Sequence, residues 1–490
     1  MTQLTRRGAL VGLAAGLAGR VWAEAPLTSL RPPLRQTKTA VLSKPALSTD
    51  ALIADANLGG QVSFALVDAS TGKLIQGLQP DLAMPPASTA KAITSLYALE
   101  HLGSGYRFVT RIMGTGAVKA GRLQGDLILA GGGDPTLNTD DLGDLAKALA
   151  RAGVREISGR FYVWAGALPY LDAIDRGQPA WLGYNPAVGG LNLNFNRVNF
   201  VWKRGQGGYQ VGFDARAERF APTVYSARMQ VVARDLPVFT YRQSGTIEDW
   251  TVAEQALGKG GSRWLPVRRP DLYAGDVFQT LARAEGLALP APEVLDALPA
   301  AATLVEHQSA ALPEVLRNMM KYSNNMTAEV VGMTASMAHG VTGHDASAAE
   351  MTRWLAAKTG QTGVRFVDHS GLGGGSRVTA SEMATALVKL GPQFGLGGLM
   401  KDVRFKNDKD LRPGPVPQKV VAKTGTLNFV SALVGYMTTE SGEGRVFAIY
   451  SGDTARRDAV SDTQKENPAG LSSWLRRARK LQLRLLQSWA

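Results

Sequence analysis

Two short apolar runs, Gln61–Ala69 and Leu74–Leu78, flank the turn residues Ser70-Thr71-Gly72-Lys73 and predict a strand–turn–strand hairpin. Pro85-Pro86 then precede Ser88, after which Ile93, Tyr97 and Leu102 recur at helical spacing. A helix is therefore predicted from Ser88 to near Gly103. From about residue 105 to 303 the texture changes to glycine-rich stretches and short strand-like runs, among them Leu127–Leu129, Gly159–Trp164 and Val198–Trp202. That stretch predicts a β-rich insertion of one or two subdomains between 48–104 and 304–490. Helical spacing returns at Leu312, and Val430–Thr438 and Arg445–Ser451 read as neighbouring strands. Leu471–Ala490 places Trp474, Leu475, Ala478, Leu481 and Leu485 on one stripe of a closing helix. No short repeat recurs, and the mixture of strands and helices is α+β in class.

The head of the chain reads differently. Arg6 and Arg7 form a basic head, Ala9 to Gly19 an apolar core, and Val21-Trp22-Ala23 a small-residue cleavage site. Residues 1–23 are thus expected to be a secretory signal, too short to span a membrane, with cleavage near Ala23 and a periplasmic destination. The twin arginines suit the twin-arginine export route, and a general secretory signal that carries two arginines fits equally. Residues 24–47, rich in Pro, Lys and Arg, read as a flexible leader. No later stretch is long and apolar enough to cross a membrane.

Composition narrows the picture further. With 45% hydrophobic and 19% charged residues in 490, the chain is ordinary for a globular protein and not disordered as a whole. The formal net charge is +13, and it stays basic without Arg6, Arg7 and Arg20. Outside the cytoplasm such a surplus points to anionic wall polymers or lipid head groups rather than nucleic acid, unless the arginines serve solubility alone. Arg476, Arg477, Arg479, Lys480 and Arg484 give the closing helix two readings: packing on a sheet, or weak contact with a membrane surface. The absence of cysteine excludes a thiol nucleophile, a Cys-ligated zinc and disulfides, so the core must hold the fold together.

The candidate chemistry is hydrolytic. Only five histidines occur, with neither a Gly-x-Ser-x-Gly elbow nor a His-Glu-x-x-His pair, and His339 and His344 read as surface residues of a glycine-containing loop. The alternative to a histidine base is Ser-x-x-Lys. At the start of a helix, Ser88 and Lys91 share one face, and the helix N-terminus offers a free N–H and partial positive charge. A lysine acts as base only when neutral, so burial or a nearby cation must depress its pKa, which predicts a second lysine in the site. Ser70-x-x-Lys73 also matches but sits in a turn. Of two Lys-Thr-Gly triplets, Lys358-Thr359-Gly360 reads as a helix end, whereas Lys423-Thr424-Gly425-Thr426 follows apolar Val420-Val421-Ala422 on a predicted strand. Ser323-Asn324-Asn325, after Tyr322, supplies a hydroxyl and a carboxamide. Alone it is as easily a polar turn or helix cap.

In this order the three elements resemble the signature of penicillin-binding proteins and serine β-lactamases. Gly125 to Leu137 (GDLILAGGGDPTL), Leu191 to Asn196 (LNLNFN), Ser323 to Glu329 (SNNMTAE) and the long gap between Ser88 and Ser323 resemble the low-molecular-mass class C penicillin-binding proteins, which are D-alanyl-D-alanine carboxypeptidases and endopeptidases. The resemblance implies a transpeptidase-like catalytic domain, an antiparallel sheet flanked by helices, made from 48–104 and 304–490. It implies Ser88 as nucleophile, Lys91 as base and Ser323 as proton relay, with the N–H groups of Ser88 and Thr426 facing the oxyanion. Asn325 would hold the substrate amide, Lys423 would keep Lys91 neutral, and Lys423, Thr424, Gly425 and Thr426 would receive a terminal carboxylate. Peptidoglycan stem peptides and β-lactams are the implied ligands, with no metal or organic cofactor. Two positions depart from the pattern: Asn324 where aspartate is common, and His369 in Asp368-His369-Ser370-Gly371-Leu372 where glycine is usual. Gly131-Gly132-Gly133-Asp134 lacks the Gly-Lys-Ser/Thr ending of a phosphate cradle and reads as a tight turn. A serine β-lactamase and a non-catalytic wall-binding protein are the competing readings.

Overall fold

The computed structural model describes residues 48–405 and 415–490. The expected signal and leader, residues 1–47, lie outside them. Six strands form an antiparallel sheet in the order Lys401–Asp402, Lys419–Leu427, Val430–Thr438, Gly444–Gly452, Gln61–Asp68, Leu74–Leu78. The predicted hairpin is its edge. Gln61–Asp68, buried from Val62 to Val67, joins that hairpin to Gly444–Gly452.

Helices cover both faces of this sheet. On one side the Ser88 helix, Ala90–Leu102, packs with Leu312–Tyr322, Asn325–Met337, His344–Thr359 and Ala380–Leu390 around Ile93, Leu96, Tyr97, Val330 and Leu387. On the other lie Thr49–Ala56 and the closing helix Leu471–Ser488. Trp474, Ala478, Leu481 and Leu485 of the latter are buried against Phe64, Leu433, Phe447 and Ile449. Trp474 Nε1 donates to the Leu58 carbonyl at 2.7 Å, and Arg477 Nε donates to that of Ala56 at 3.1 Å. Burying the stripe at about 25 cal/mol per Å² accounts for its pattern, as the sheet-packing reading of the closing helix expects. No helix among the described residues is long and apolar enough to cross a membrane.

Between the Ser88 helix and Leu312 the chain makes a long excursion. Its centre is a five-stranded sheet, Glu293–Leu295, Phe161–Trp164, Leu127–Ala130, Val109–Gly114, Ala302–Gln308, continuous in its core with a three-stranded sheet around Arg197–Gly205. Two helices, Thr139–Arg151 and Pro270–Ala284, pack on it, which the β-rich expectation had not included. The expected return at residue 304 falls inside the strand Ala302–Gln308, which pairs antiparallel with Val109–Gly114. The chain therefore leaves the excursion at the neck where Phe108 N donates to Ser309 Oγ and Ser309 N to the Phe108 carbonyl, 3.0 and 2.9 Å. The triple glycine is a close-approach turn. A Cβ on Gly131 would lie 2.4 Å from the Gly190 carbonyl oxygen, one on Gly132 would lie 2.0 Å from that of Val109, and Gly133 has φ +82°.

Candidate active site

Ser88 lies in a single 3-10 turn, Ala87–Thr89, that runs into the helix Ala90–Leu102, slightly different from the uniform α-helix expected. Ala87 holds a left-handed φ of +47°, a conformation that costs a non-glycine residue about 1 kcal/mol or more. Two glycines allow the surrounding chain to crowd this turn. A Cβ on Gly371, at φ +74°, would meet the Ala87 carbonyl oxygen at 1.8 Å, and one on Gly425 would meet that of Pro86 at 2.8 Å. The third residue of Lys-Thr-Gly is thus the space through which the strand Lys419–Leu427 approaches the serine.

Lys91, fully buried, places Nζ 3.0 Å from Ser88 Oγ, 2.7 Å from Asn325 Oδ1 and 2.7 Å from the Ser370 carbonyl. Asn325 Nδ2 donates to the Tyr184 carbonyl at 2.9 Å, which fixes the amide with Oδ1 toward Lys91. Two of the three neighbours of Nζ can only accept. A neutral amine spends its two N–H groups on them and keeps its lone pair for the one neighbour able to donate, the Ser88 hydroxyl. Burial pushes Lys91 down to about 8, against the charges of Asp368 and Glu329, which favour the ammonium. Desolvation, rather than the field of Lys423, is the main cause. Lys423 Nζ lies 2.9 Å from Ser323 Oγ and 2.7 Å from the Thr424 carbonyl, and it is lowered in turn by burial and then by Lys91.

Ser323 and Asn325 arrive together through capping. Ser323 ends the helix Leu312–Tyr322 in a left-handed conformation, and Asn324 N-caps the next helix, its Oδ1 accepting from Thr327 N at 2.9 Å. Asparagine serves an N-cap as well as aspartate, which explains the first departure. The second is also accommodated. The His369 ring fills space left by Gly332, where a Cβ would come within 2.2 Å of it, and Nε2 lies 2.7 Å from Ser347 Oγ. Below the ring, Glu329 accepts from the N–H groups of His369 and Ser370 at 3.0 and 2.9 Å and from His344 Nε2 at 3.0 Å. Burial opposes its ionisation, but the hydrogen bond and charge of His344 hold it down at about 2. His344 is accordingly not the surface residue expected. Its side chain is 13% exposed, and burial, which disfavours its charge, is outweighed by Glu329, raising it to about 9. Asp368, pushed up to about 7 by burial and the Glu329 charge, ties the loop through the N–H groups of Gly371 and Gly373.

Ser88, Ser323, Asn325 and Thr426 line a cleft of about 270 Å³, together with Tyr184 from the excursion and Arg457. Thr424 is exposed and reaches the site through its carbonyl, while Gly425 contributes space. Tyr184, Arg457, Lys465 and Glu466 carry no motif and were not anticipated, whereas Glu329 was in view within the quoted Ser323–Glu329 segment. The other Ser-x-x-Lys match is unlike this one: Ser70 Oγ donates to Asp68 at 2.6 Å in the hairpin turn, and Lys73 is exposed. Lys358-Thr359-Gly360 closes the helix His344–Thr359, with Gly360 at φ +78°.

Comparison with known proteins places the chain in a family. Residues 46–476 match the D-Ala-D-Ala carboxypeptidase 3 (S13) family. A D-alanyl-D-alanine carboxypeptidase of an Actinomadura species is 28% identical, over 85% of this chain and 83% of its own. The D-alanyl-D-alanine carboxypeptidase DacB of Haemophilus influenzae is 25% identical, over 83% and 88%. The crystal structure of penicillin-binding protein 4 from Haemophilus influenzae shares the fold, with a TM-score of 0.72 at 20% identity over 90% of this chain and all of the other. The chain, an α+β serine peptidase in architecture and in the composition of its cleft, belongs to the D-Ala-D-Ala carboxypeptidase 3 (S13) family, that of the low-molecular-mass class C penicillin-binding proteins.

Proposed function

We propose that this protein hydrolyses D-alanyl-D-alanine-type bonds of peptidoglycan peptides through an acyl-enzyme on Ser88, and that β-lactams acylate the same hydroxyl. The observation that carries the assignment is the desolvated Lys91 amine 3.0 Å from Ser88 Oγ, with its two remaining directions taken by carbonyl oxygens. Ser88 Oγ passes its proton to Lys91 and attacks the carbonyl carbon of the penultimate D-alanine. The resulting oxyanion faces the N–H of Ser88, which lies in the first helical turn where no carbonyl precedes it, and that of Thr426 on the neighbouring strand. As the carbon–nitrogen bond breaks, Ser323, accepting from Lys423, has its own O–H free to protonate the leaving amine, and the proton that Lys91 took from Ser88 makes good the one Ser323 gives up. Water, deprotonated by Lys91, then attacks the ester and frees the peptide and Ser88.

The substrate is anionic and the cleft wall is basic. Thr426 and the half-buried Arg457 line the cleft where a terminal carboxylate would lie, with Lys423 hydrogen-bonded to Ser323 of the same cleft. Action outside the cytoplasm is part of the proposal and rests on the leader pattern of residues 1–23.

Intact mass after mixing with benzylpenicillin tests the assignment. The expected result is a persistent adduct on wild type and on Ser70→Ala, and none on Ser88→Ala. No adduct together with intact penicillin would overturn the peptidase reading, and rapid turnover without an adduct would make the protein a β-lactamase.

A further inference from the structure

Every backbone N–H from His369 to Gly373 donates to a side chain. Those of His369 and Ser370 go to Glu329 at 3.0 and 2.9 Å, those of Gly371 and Gly373 to Asp368 at 2.6 and 2.5 Å, and that of Leu372 to Ser370 Oγ at 3.2 Å. With its N–H groups committed to side chains, the loop turns two carbonyls toward one face of the helix Ala90–Leu102. That of His369 accepts from Thr94 Oγ1 at 2.6 Å and that of Ser370 from Lys91 Nζ at 2.7 Å. A loop with stability as its only task has cheaper solutions, because neighbouring buried carboxylates disfavour one another's charge.

The two carboxylates are not equivalent. Glu329 has a cation at 3.0 Å in His344 Nε2. Asp368, 1% exposed, takes its hydrogen bonds among the described residues from the N–H groups of Gly371 and Gly373. The Gly371 N–H belongs to the same peptide unit as the Ser370 carbonyl. A continuous line therefore runs from Asp368 Oδ1 through that peptide to Lys91 Nζ, and on to Ser88 Oγ at 3.0 Å. A carboxylate on the N–H side of a peptide polarises the carbonyl and makes it a better acceptor. An ammonium gains more from such a carbonyl than a neutral amine does, so the charge of Asp368 works against the burial that depresses Lys91. A lysine depressed too far is neutral but a weak base, and the carboxylate preserves its strength.

We infer that Asp368 is a positioning residue of the acylation step, which holds the Ser370 carbonyl on Lys91 and tunes that base through the Ser370–Gly371 peptide, a role that rests on the peptidase reading. Other charged groups face it. Glu329 does so from the helix Asn325–Met337, His344 and the exposed Asp345 from the helix His344–Thr359, and Asp175 and Arg176 of the excursion across a shared groove. Arg377 and Arg457 lie beside Gly374 of the same loop. His344, whose burial is outweighed by Glu329, is raised to about 9, and burial lowers His369 to about 4. Between about pH 6 and 8 the changes of charge therefore fall on Asp368 and Lys91.

The test follows stopped-flow acylation by benzylpenicillin across pH in wild type and in Asp368→Asn, which keeps the shape and removes the charge. The midpoint of the acid limb is expected to fall by about one pH unit, and the plateau by about threefold or more. A slower reaction with an unmoved midpoint, or a midpoint moved upward, would overturn the role and leave the peptidase reading standing. If Asp368→Asn does not fold, reciprocity supplies a second arm, because Lys91 must act on Asp368 as strongly as Asp368 acts on Lys91. Infrared titration of isotope-labelled aspartate is expected to show a carboxyl that keeps its proton to higher pH in Lys91→Met than in wild type. Identical titrations in the two proteins would equally remove the coupling. Wild type that takes no penicillin at any pH would remove the role and the peptidase reading together.

Discussion

The base role proposed for Lys91 sets demands on its surroundings. Only the neutral amine can take the Ser88 proton, and burial holds the group at about 8 instead of the ordinary lysine value of 10.5. Below that value the ammonium dominates and the base is absent. The rate of acylation by a β-lactam should therefore rise about tenfold per pH unit up to about 8 and level off above it. Stopped-flow acylation across pH checks this, and a profile flat from pH 6 to 9 would remove Lys91 as the base. Ser88, Lys91, Ser323, Asn325 and Lys423 were legible because their chemistry demands those residue types at those spacings. Tyr184 and Arg457 were not. Each lies in a stretch without a motif, and its place at the cleft appears only when distant loops meet over the serine.

At the scale of elements, the site depends on how closely helices and loops approach. Gly332 belongs to the helix Asn325–Met337, and the space it leaves receives the His369 ring. The same loop presents the Ser370 carbonyl to Lys91. Gly332→Ala should push the ring away, lowering stability by about 1–3 kcal/mol and slowing acylation, as overpacking does. His369→Gly added to Gly332→Ala should recover most of both losses. Thermal melts and acylation rates of the two single variants and the double variant measure this, and simple additivity would show that the positions are not coupled. Element boundaries were mostly readable from turns, prolines and apolar periods, as with the hairpin Gln61–Leu78 and the strands after Lys419. The helix Thr139–Arg151 was overlooked inside a glycine-rich stretch, although its capping box, Asn138 with Asp141, is a signal in the chain.

At the scale of the whole molecule, the excursion is part of the cleft. Glu466 accepts from Trp181 Nε1 at 2.8 Å and from Arg263 at 2.5 Å, and Lys465 Nζ donates to the Gly177 carbonyl at 2.7 Å. These contacts strap the 177–184 segment, with Tyr184 and hence Asn325, to the part of the chain that carries Arg457. Because the pairs are partly exposed, each is worth about 1 kcal/mol or less. Glu466→Gln should raise KM for a peptide substrate about two- to fivefold with kcat little changed. A matching fall in kcat would place Glu466 in the chemistry instead. The long gap between the first two motifs is visible in the sequence, but not that its residues would reach back over the serine. Contacts of this kind come from single residues on irregular loops, where no period marks them.

The pairing of Gln61–Asp68 with Gly444–Gly452 also sets an order of events during synthesis. Asp68 and Arg445, which are joined across these strands, stand 377 positions apart, so the first hairpin emerges from the ribosome long before its partner. Until then one edge of a strongly apolar strand lies open, and open edges of that kind invite association with other chains. The excursion, entered and left through one neck and holding its own core, has the contacts to fold in the interval. Once folded it brings residue 109 beside residue 308, which shortens the effective loop that the sheet must still close. The segment that walls the mature cleft is thereby also the one that shortens the wait.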